Sequence, residues 1–198
     1  MIAIVDYGAG NLRSIGRALS ASGAEIEVTA DPDRIHVADR VVLPGVGNAR
    51  AAMTRLTDSG MADAIRETVD AGTPLLGICL GMQLLFGPQE EGPTTGLGLL
   101  AGEVRHLPDE LKVPHMGWNT VTFVGDSPLQ DHPSAPFYFV HSYAATPENP
   151  HDIAAITDYG VSFPSIVIHN HVWGMQFHPE KSGDSGLNLL NAWLTWNP

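Results

Sequence analysis

Leu75-Leu76-Gly77-Ile78-Cys79-Leu80-Gly81-Met82 joins a buried strand to a helix through a cysteine between two glycines. Its first half belongs to a short apolar run, Pro74–Ile78, which predicts a buried strand. Its second half opens a helix predicted over Leu80–Phe86. Between them lies G-x-C-x-G, a strand-to-helix turn around a nucleophilic residue type, with Cys where Ser is more familiar. Such a turn holds the nucleophile in a strained conformation. The partial positive charge of a helix N-terminus favours thiolate, and the following N–H, that of Leu80, is placed to stabilise an oxyanion. A buried structural cysteine is the competing reading, because free Cys is among the most buried residue types.

Working outward, the first half of the chain alternates strand and helix. Ile2–Val5 reads as a strand that ends at Asp6-Tyr7-Gly8-Ala9-Gly10. Asn11 is a candidate cap for a helix with Leu12, Ile15, Ala18 and Leu19 on one face. Glu25–Val28 is a second strand, and Arg40–Leu43 a third, stopped by Pro44-Gly45. Helical spacing returns over Ala49–Leu56 and Met61–Ala71. This pitch means βαβ units and a mostly parallel sheet covered on both faces. The second half holds short strand candidates, Val104–His106, Thr120–Val124, Phe137–His141, Ile153–Thr157, Ser165–His169 and Val172–Phe177, so an antiparallel portion is expected. A helix over about Gly186–Leu194 closes the chain, and Gly87–Gly98 is the most loop-like stretch.

The 198 residues suffice for one sizeable core. Hydrophobic residues make up 43% and charged ones 16%, the composition of a packed globule. No apolar run approaches the roughly 20 residues of a membrane helix, and the N-terminus has no secretory pattern, so a cytoplasmic protein with no membrane partner is expected. With one cysteine, no internal disulfide can form. Acidic residues outnumber basic ones by 22 to 10, which argues against nucleic-acid binding. That charge suits solubility, and equally a basic protein partner.

A thiol nucleophile needs a base, and the base an orienter. Phe177-His178-Pro179-Glu180 offers both: a strand would deliver His178, and Glu180 can reach the same imidazole. Read alone, His178 is an ordinary strand-end residue and Glu180 a first-turn acid of the last helix. The cysteine elbow shifts the balance toward a Cys79-His178-Glu180 triad.

Pro44-Gly45-Val46-Gly47, Gly77-Ile78-Cys79-Leu80-Gly81-Met82-Gln83 and Gln176-Phe177-His178-Pro179-Glu180, in that order and at that separation, resemble the class I glutamine amidotransferases. Asp6-Tyr7-Gly8-Ala9-Gly10-Asn11-Leu12-Arg13-Ser14, Pro114-His115-Met116-Gly117-Trp118-Asn119 and Phe139-Val140-His141-Ser142-Tyr143 resemble one branch of them, the glutaminase subunits of imidazole glycerol phosphate synthases. The resemblance spans essentially residues 1–198. It implies a single-domain flavodoxin-like three-layer α/β fold, with a mostly parallel sheet extended by antiparallel strands. It also implies hydrolysis of L-glutamine to glutamate and ammonia, with no cofactor or metal.

In that family's terms Cys79 attacks the glutamine side-chain carbonyl, His178 moves the protons and Glu180 orients His178. The Leu80 N–H is one oxyanion donor. The other comes from Val46 and Gly47, where the family needs a peptide flip. Gln83 and Glu91 correspond to substrate-holding positions, with Glu91 at the α-ammonium, and backbone at Ser142 and Tyr143 holds the α-carboxylate. Asn11, Met116, Trp118 and Lys181 match positions near a heterodimer interface with a (β/α)₈ cyclase, the ammonia acceptor in histidine biosynthesis. Composition alone makes Trp118 equally a half-buried core residue. Asn48-Ala49-Arg50 departs from the family, which has an aromatic or His soon after the second glycine.

Competing readings are a dinucleotide-binding turn at Gly8-Ala9-Gly10, where Arg13 replaces the third glycine, and a metal hydrolase using His169, His171 and His178. A non-catalytic interaction subunit, another class I amidotransferase and a γ-glutamyl hydrolase complete the alternatives. The nucleophile reading predicts that a glutamine-shaped alkylating reagent modifies the protein once, at Cys79. Peptide mapping by mass spectrometry checks this, and a modified site elsewhere contradicts it.

Overall fold

The computed structural model describes residues 1–197 except Ser22 and Pro93. The first half contains β1 (Ile2–Val5), α1 (Leu12–Ser20), β2 (Ile26–Thr29), α2 (Pro32–His36), β3 (Arg40–Gly45), α3 (Ala49–Asp58), α4 (Met61–Asp70), β4 (Leu75–Cys79) and α5 (Leu80–Gln83). Two short strands follow, β5 (Pro88–Gln89) and β6 (Thr94–Thr95), then β7 (Gly102–His106), β8 (His115–Phe123) and β9 (Ala135–His141). The chain ends through β10 (Tyr143–Pro147), β11 (Ile153–Asp158), β12 (Ser162–His169), β13 (Val172–Met175) and α6 (Gly183–Thr195).

The main sheet runs β2-β1-β3-β4-β13-β12-β11-β8-β9. Its first five strands are parallel, in the order of a doubly wound flavodoxin-like sheet, and the rest are antiparallel. The expected architecture is therefore present, with an antiparallel extension nearly as wide as the parallel part. A second sheet, β10-β7-β5-β6, lies apart from it.

The unbroken apolar runs of the parallel strands are explained by burial on both faces. Ala3 and Val5 of β1, Val41 and Leu43 of β3, and Leu75 of β4 face one core with α2, α3 and α4. Ile2, Ile4, Val42, Leu76 and Ile78 face the other with α1 and α6. Truncating a fully buried Ile or Leu here to Ala costs about 2–5 kcal/mol.

Several boundaries differ from the sequence reading. β3 does not stop before Pro44: Pro44 pairs with Ile78 and Gly45 with Cys79. Pairing with β1 ends at Val42, so no neighbour on that side requires the N–H that Pro44 lacks. The helix predicted over Leu80–Phe86 ends at Gln83. Beyond it, the carbonyls of Leu84 and Leu85 accept from Leu97, Leu99 and Leu100 instead of from a next helical turn. The 87–98 stretch holds β5 and β6 rather than only loop. The short helix α2 escaped the sequence reading, although Asp31 caps it and Pro32 opens it. β8 starts at His115, five residues before the predicted strand, so the His-Met-Gly-Trp-Asn segment is extended. Its apolar residues Met116 and Trp118 face outward, the reverse of the usual alternation.

Two glycines permit the crowding of β3, β4 and α5. A Cβ on Gly81 would overlap the Leu43 carbonyl oxygen, and one on Gly77 would lie 2.7 Å from the Gly81 carbonyl oxygen. Gly87 has open space around the same point. Gly81→Ala should therefore cost about 3 kcal/mol, the upper end of ordinary overpacking, and Gly87→Ala about 0.5 kcal/mol or less. Urea unfolding of both variants checks this; equal midpoints would contradict it.

Candidate active site

Cys79 ends β4 with φ 55° and ψ −112°, a left-handed backbone that L residues rarely adopt. Among the described residues only Asn170 is a second non-glycine at positive φ. The strain is held by packing on every side. Gly45 of β3 approaches so closely that a Cβ there would lie 2.7 Å from the Gly81 amide and 2.8 Å from the Tyr7 hydroxyl. The sequence expectation of a tight elbow is thus met. The helix behind it, α5, has four residues rather than seven, so its dipole is smaller than the sequence suggested. Leu80 opens α5, where backbone N–H groups have no acceptor within the helix.

His178 follows β13 by three residues rather than ending it. Its position is set by backbone contacts: its N–H donates to the Tyr138 carbonyl at 2.9 Å, and its carbonyl accepts from Ser182 Oγ at 2.7 Å. Ser182 Oγ in turn accepts from the Tyr138 N–H at 3.0 Å. Ser182 is a positioning residue that the sequence reading missed. Glu180 lies in a 3₁₀ turn, Pro179–Lys181, and not in the last helix. Its Oε1 is 2.9 Å from His178 Nδ1, and its side chain is fully buried.

Burial works against charge on His178. Hydrogen bonding and charge from Cys79, and then from Glu180, work the other way and prevail, so its pKa is raised to about 9. His178 Nε2 is buried with no hydrogen-bond partner, and Cys79 Sγ lies 3.7 Å from the Val140 carbonyl oxygen. The unpartnered Nε2 is the atom from which a proton can be delivered to a reacting group.

A cavity of about 350 Å³ opens over Cys79. Val46, Gly47, Leu80, Gln83, Glu91, Ser142, Tyr143 and His178 all line it, so the structure brings together the predicted oxyanion, substrate and base residues. Glu180 stands behind His178. Gln83 Nε2 donates to the Tyr143 carbonyl at 2.8 Å and to Gln176 Oε1 at 3.1 Å. Glu91 Oε2 accepts from the Ala49 N–H at 2.7 Å, at the start of α3. Asn48 caps the same helix through the Ala51 N–H, which gives the departing Asn48-Ala49-Arg50 segment a structural purpose. Pro114, Val140 and His141 also line the cavity and were not foreseen. The His in Phe139-Val140-His141-Ser142-Tyr143 was the available signal.

The remaining predicted residues lie outside the cavity. Met116 and Trp118 are 62% and 58% exposed, which rules out a core role for Trp118. Trp118 meets the Tyr138 ring edge-on at 6.1 Å, and Lys181 Nζ lies over that ring at 5.7 Å. Asn11 occupies the cap position of α1 but makes no side-chain cap, since φ −90° and ψ 58° depart from the extended geometry that capping needs. His169 and His171 do not share a strand face. They flank the turn residue Asn170, His169 pairing with Asp152 and His171 with the Val69 carbonyl. Among the described residues no group of three or more His, Cys, Asp or Glu could hold a metal ion. No helix there is long and apolar enough to cross a membrane.

A strained cysteine at the carboxyl end of a central parallel strand, beside a buried His–Glu pair, defines a class. A model of the class-I glutamine amidotransferases matches residues 3–194, and the chain belongs to that family. Solved structures agree in fold: a glutamine amidotransferase superposes with TM-score 0.79 at 20% identity, covering 98% of this chain and 100% of that one. PurLQS from Thermotoga maritima superposes with TM-score 0.76 at 19% identity, covering 98% and 96%. Within the family the chain sits with the imidazole glycerol phosphate synthase subunits HisH. It is 50% identical to the Methanopyrus kandleri protein over 98% of this chain and 97% of that one. It is 47% identical to the Geobacillus thermodenitrificans protein over 98% and 95%.

Because the His178 pKa lies above the ordinary ~6.5, its charged form stabilises the fold fully below that value. The contribution is lost as pH rises through about 9. NMR titration should place the imidazole midpoint near 9, and Cys79→Ala should lower it by removing the thiolate. An unchanged midpoint in the variant would show that the two groups are not coupled.

Proposed function

We propose that this chain is the glutaminase of an imidazole glycerol phosphate synthase, hydrolysing L-glutamine and passing ammonia to a cyclase partner in histidine biosynthesis. The observation that carries the reading is the strained Cys79 beside the His178–Glu180 pair, at the floor of a cavity lined by the substrate positions. The thiolate of Cys79 attacks the side-chain carbonyl carbon of glutamine. The developing oxyanion is met by the Leu80 N–H and by backbone N–H of the Val46–Gly47 segment. His178, protonated at rest, gives its Nε2 proton to the departing nitrogen. Ammonia leaves and a γ-glutamyl thioester remains on Cys79. The now neutral His178 takes a proton from water, the hydroxide equivalent attacks the thioester, and glutamate departs as the thiolate reforms.

The other assignments follow from charge. Glu91 sets a carboxylate against the substrate's α-ammonium, and backbone at Ser142 and Tyr143 takes the α-carboxylate. Gln83 holds the Tyr143 carbonyl and so shapes that end of the cavity. Ammonia released to neutral water becomes ammonium, which is not a nucleophile, so the product needs a covered path. The exposed group of Met116, Trp118 and Lys181, with Asn11, is the face we assign to the (β/α)₈ cyclase. Trp is a residue type over-represented at binding hot spots.

The assignment is tested with the two subunits together. Cys79→Ala should abolish glutamine-dependent product formation, a loss on the order of 10⁶-fold for a missing nucleophile. The same complex should still form product from ammonium salts at high pH. Loss of the ammonia-dependent route in an assembled Cys79→Ala complex would overturn the division of labour. Retained glutaminase activity would overturn the nucleophile.

A further inference from the structure

A line of side-chain hydrogen bonds, half-exposed at Asn119 and buried between the two histidines, reaches the cavity wall from the sheet's antiparallel edge. Asn119 Nδ2 donates to the Asp158 carbonyl at 2.8 Å and lies 3.2 Å from His115 Nε2. His115 Nδ1 is 2.9 Å from His141 Nε2, and His141 Nδ1 is 2.9 Å from the Tyr143 carbonyl oxygen. Both histidines are buried, at 3% and 5% exposure. Only His141 lines the cavity.

The partners at the two ends fix every proton between them. Asn119 Oδ1 accepts from the Thr120 N–H, so the amide faces His115 with its nitrogen, which can only donate. His115 Nε2 therefore accepts, and its proton sits on Nδ1. That proton is donated to His141 Nε2, so the proton of His141 also sits on Nδ1, facing a carbonyl that can only accept. Protonating either ring would set two N–H groups against each other or against Asn119. The surroundings also oppose charge. Phe139 and Tyr159 stack on His115, and Phe163 packs against both rings. Burial lowers the pKa of His115, and that of His141 to about 3; His178 is the further titratable group acting on His141.

The carbonyl at the end of this line has no partner in the strand ladder. Leu107 N–H donates to the Ser142 carbonyl at 2.9 Å, so by antiparallel alternation the next pair, Tyr143 opposite His106, is a non-hydrogen-bonded one and the Tyr143 carbonyl points away from β7. The Tyr143 carbonyl instead takes His141 from one side and Gln83 Nε2 from another. Together these two donors fix the direction of the carbonyl beside Ser142–Tyr143 and occupy its partial negative charge, which would otherwise act on a carboxylate held there.

We infer that His115 and His141 are positioning residues of the glutamine site, a neutral, tautomer-fixed imidazole pair that holds the Tyr143 carbonyl and thereby shapes the subsite for the substrate's α-carboxylate. This rests on the cavity being the glutamine site. The pair moves no proton in the reaction and acts on substrate through Tyr143.

The test combines a spectroscopic readout on the unaltered full chain with a labelling comparison. In ¹⁵N-histidine spectra both imidazoles should carry their proton on Nδ1 and stay neutral across the range in which ordinary histidines titrate. His141→Ala should slow labelling of Cys79 by a glutamine-shaped diazoketone about tenfold, the size of one lost hydrogen bond. Labelling by iodoacetamide, which has no amino-acid head, should change little. His141→Asn, which keeps a donor toward Tyr143, should recover most of the loss. An Nε2–H tautomer or a charged ring at neutral pH would overturn the inference without needing any variant. So would equal slowing of both reagents, or slowing of neither. If free glutamine fails to protect the unaltered chain from the diazoketone, the cavity is not the glutamine site and the inference falls with that reading.

Discussion

A cysteine at φ 55° stays there only if its neighbours leave it no alternative, and around Cys79 they do so through backbone contact. Gly45, Gly77 and Gly81 let β3, β4 and α5 approach until no side chain fits between them. Everything chemical in the molecule is arranged around that point. The parallel strands bring the thiol to the carboxyl edge of the sheet, where open α/β folds bind their ligands. The hydrophobic cores on the two faces hold the sheet between α3 on one side and α6 on the other. The His178 turn packs directly on α6, where a Cβ on Gly186 would overlap the Pro179 carbonyl oxygen.

The second layer of the design is electrostatic. A buried imidazolium is costly unless negative groups compensate for it. Glu180 supplies one at Nδ1 and Cys79 acts in the same direction, which is why the pKa of the buried His178 is raised. His141 is the contrast within the same cavity. Buried and facing His115 through Nε2, it has its pKa lowered to about 3. One site thus shifts two histidines in opposite directions, His178 toward the charged form and His141 toward the neutral one.

Much of this was legible in the residues. Gly77-Ile78-Cys79-Leu80-Gly81 announces its turn because only small neighbours permit it. His178-Pro179-Glu180 is readable because base and orienter lie two residues apart. The parallel strands show themselves as apolar runs. What was hidden depended on contacts distant in sequence. The end of α5 is decided by amides from Leu97 to Leu100, which nothing near Gln83 reveals. β8 was read short because Met116 and Trp118 point outward and spoil the alternation. His141 was passed over because its partners, His115 and Tyr143, meet only once β8, β9 and β10 are assembled.

The central claim is that Cys79 carries the substrate covalently at a strained elbow while His178 exchanges protons with it. Acid quenching during steady glutamine turnover, followed by mass spectrometry of the Cys79 peptide, tests this most directly. A γ-glutamyl adduct on Cys79 should be present during turnover, disappear when glutamine is exhausted and be absent in Cys79→Ala. Ammonia release at full rate with no acyl group on Cys79 at any quench time would contradict it.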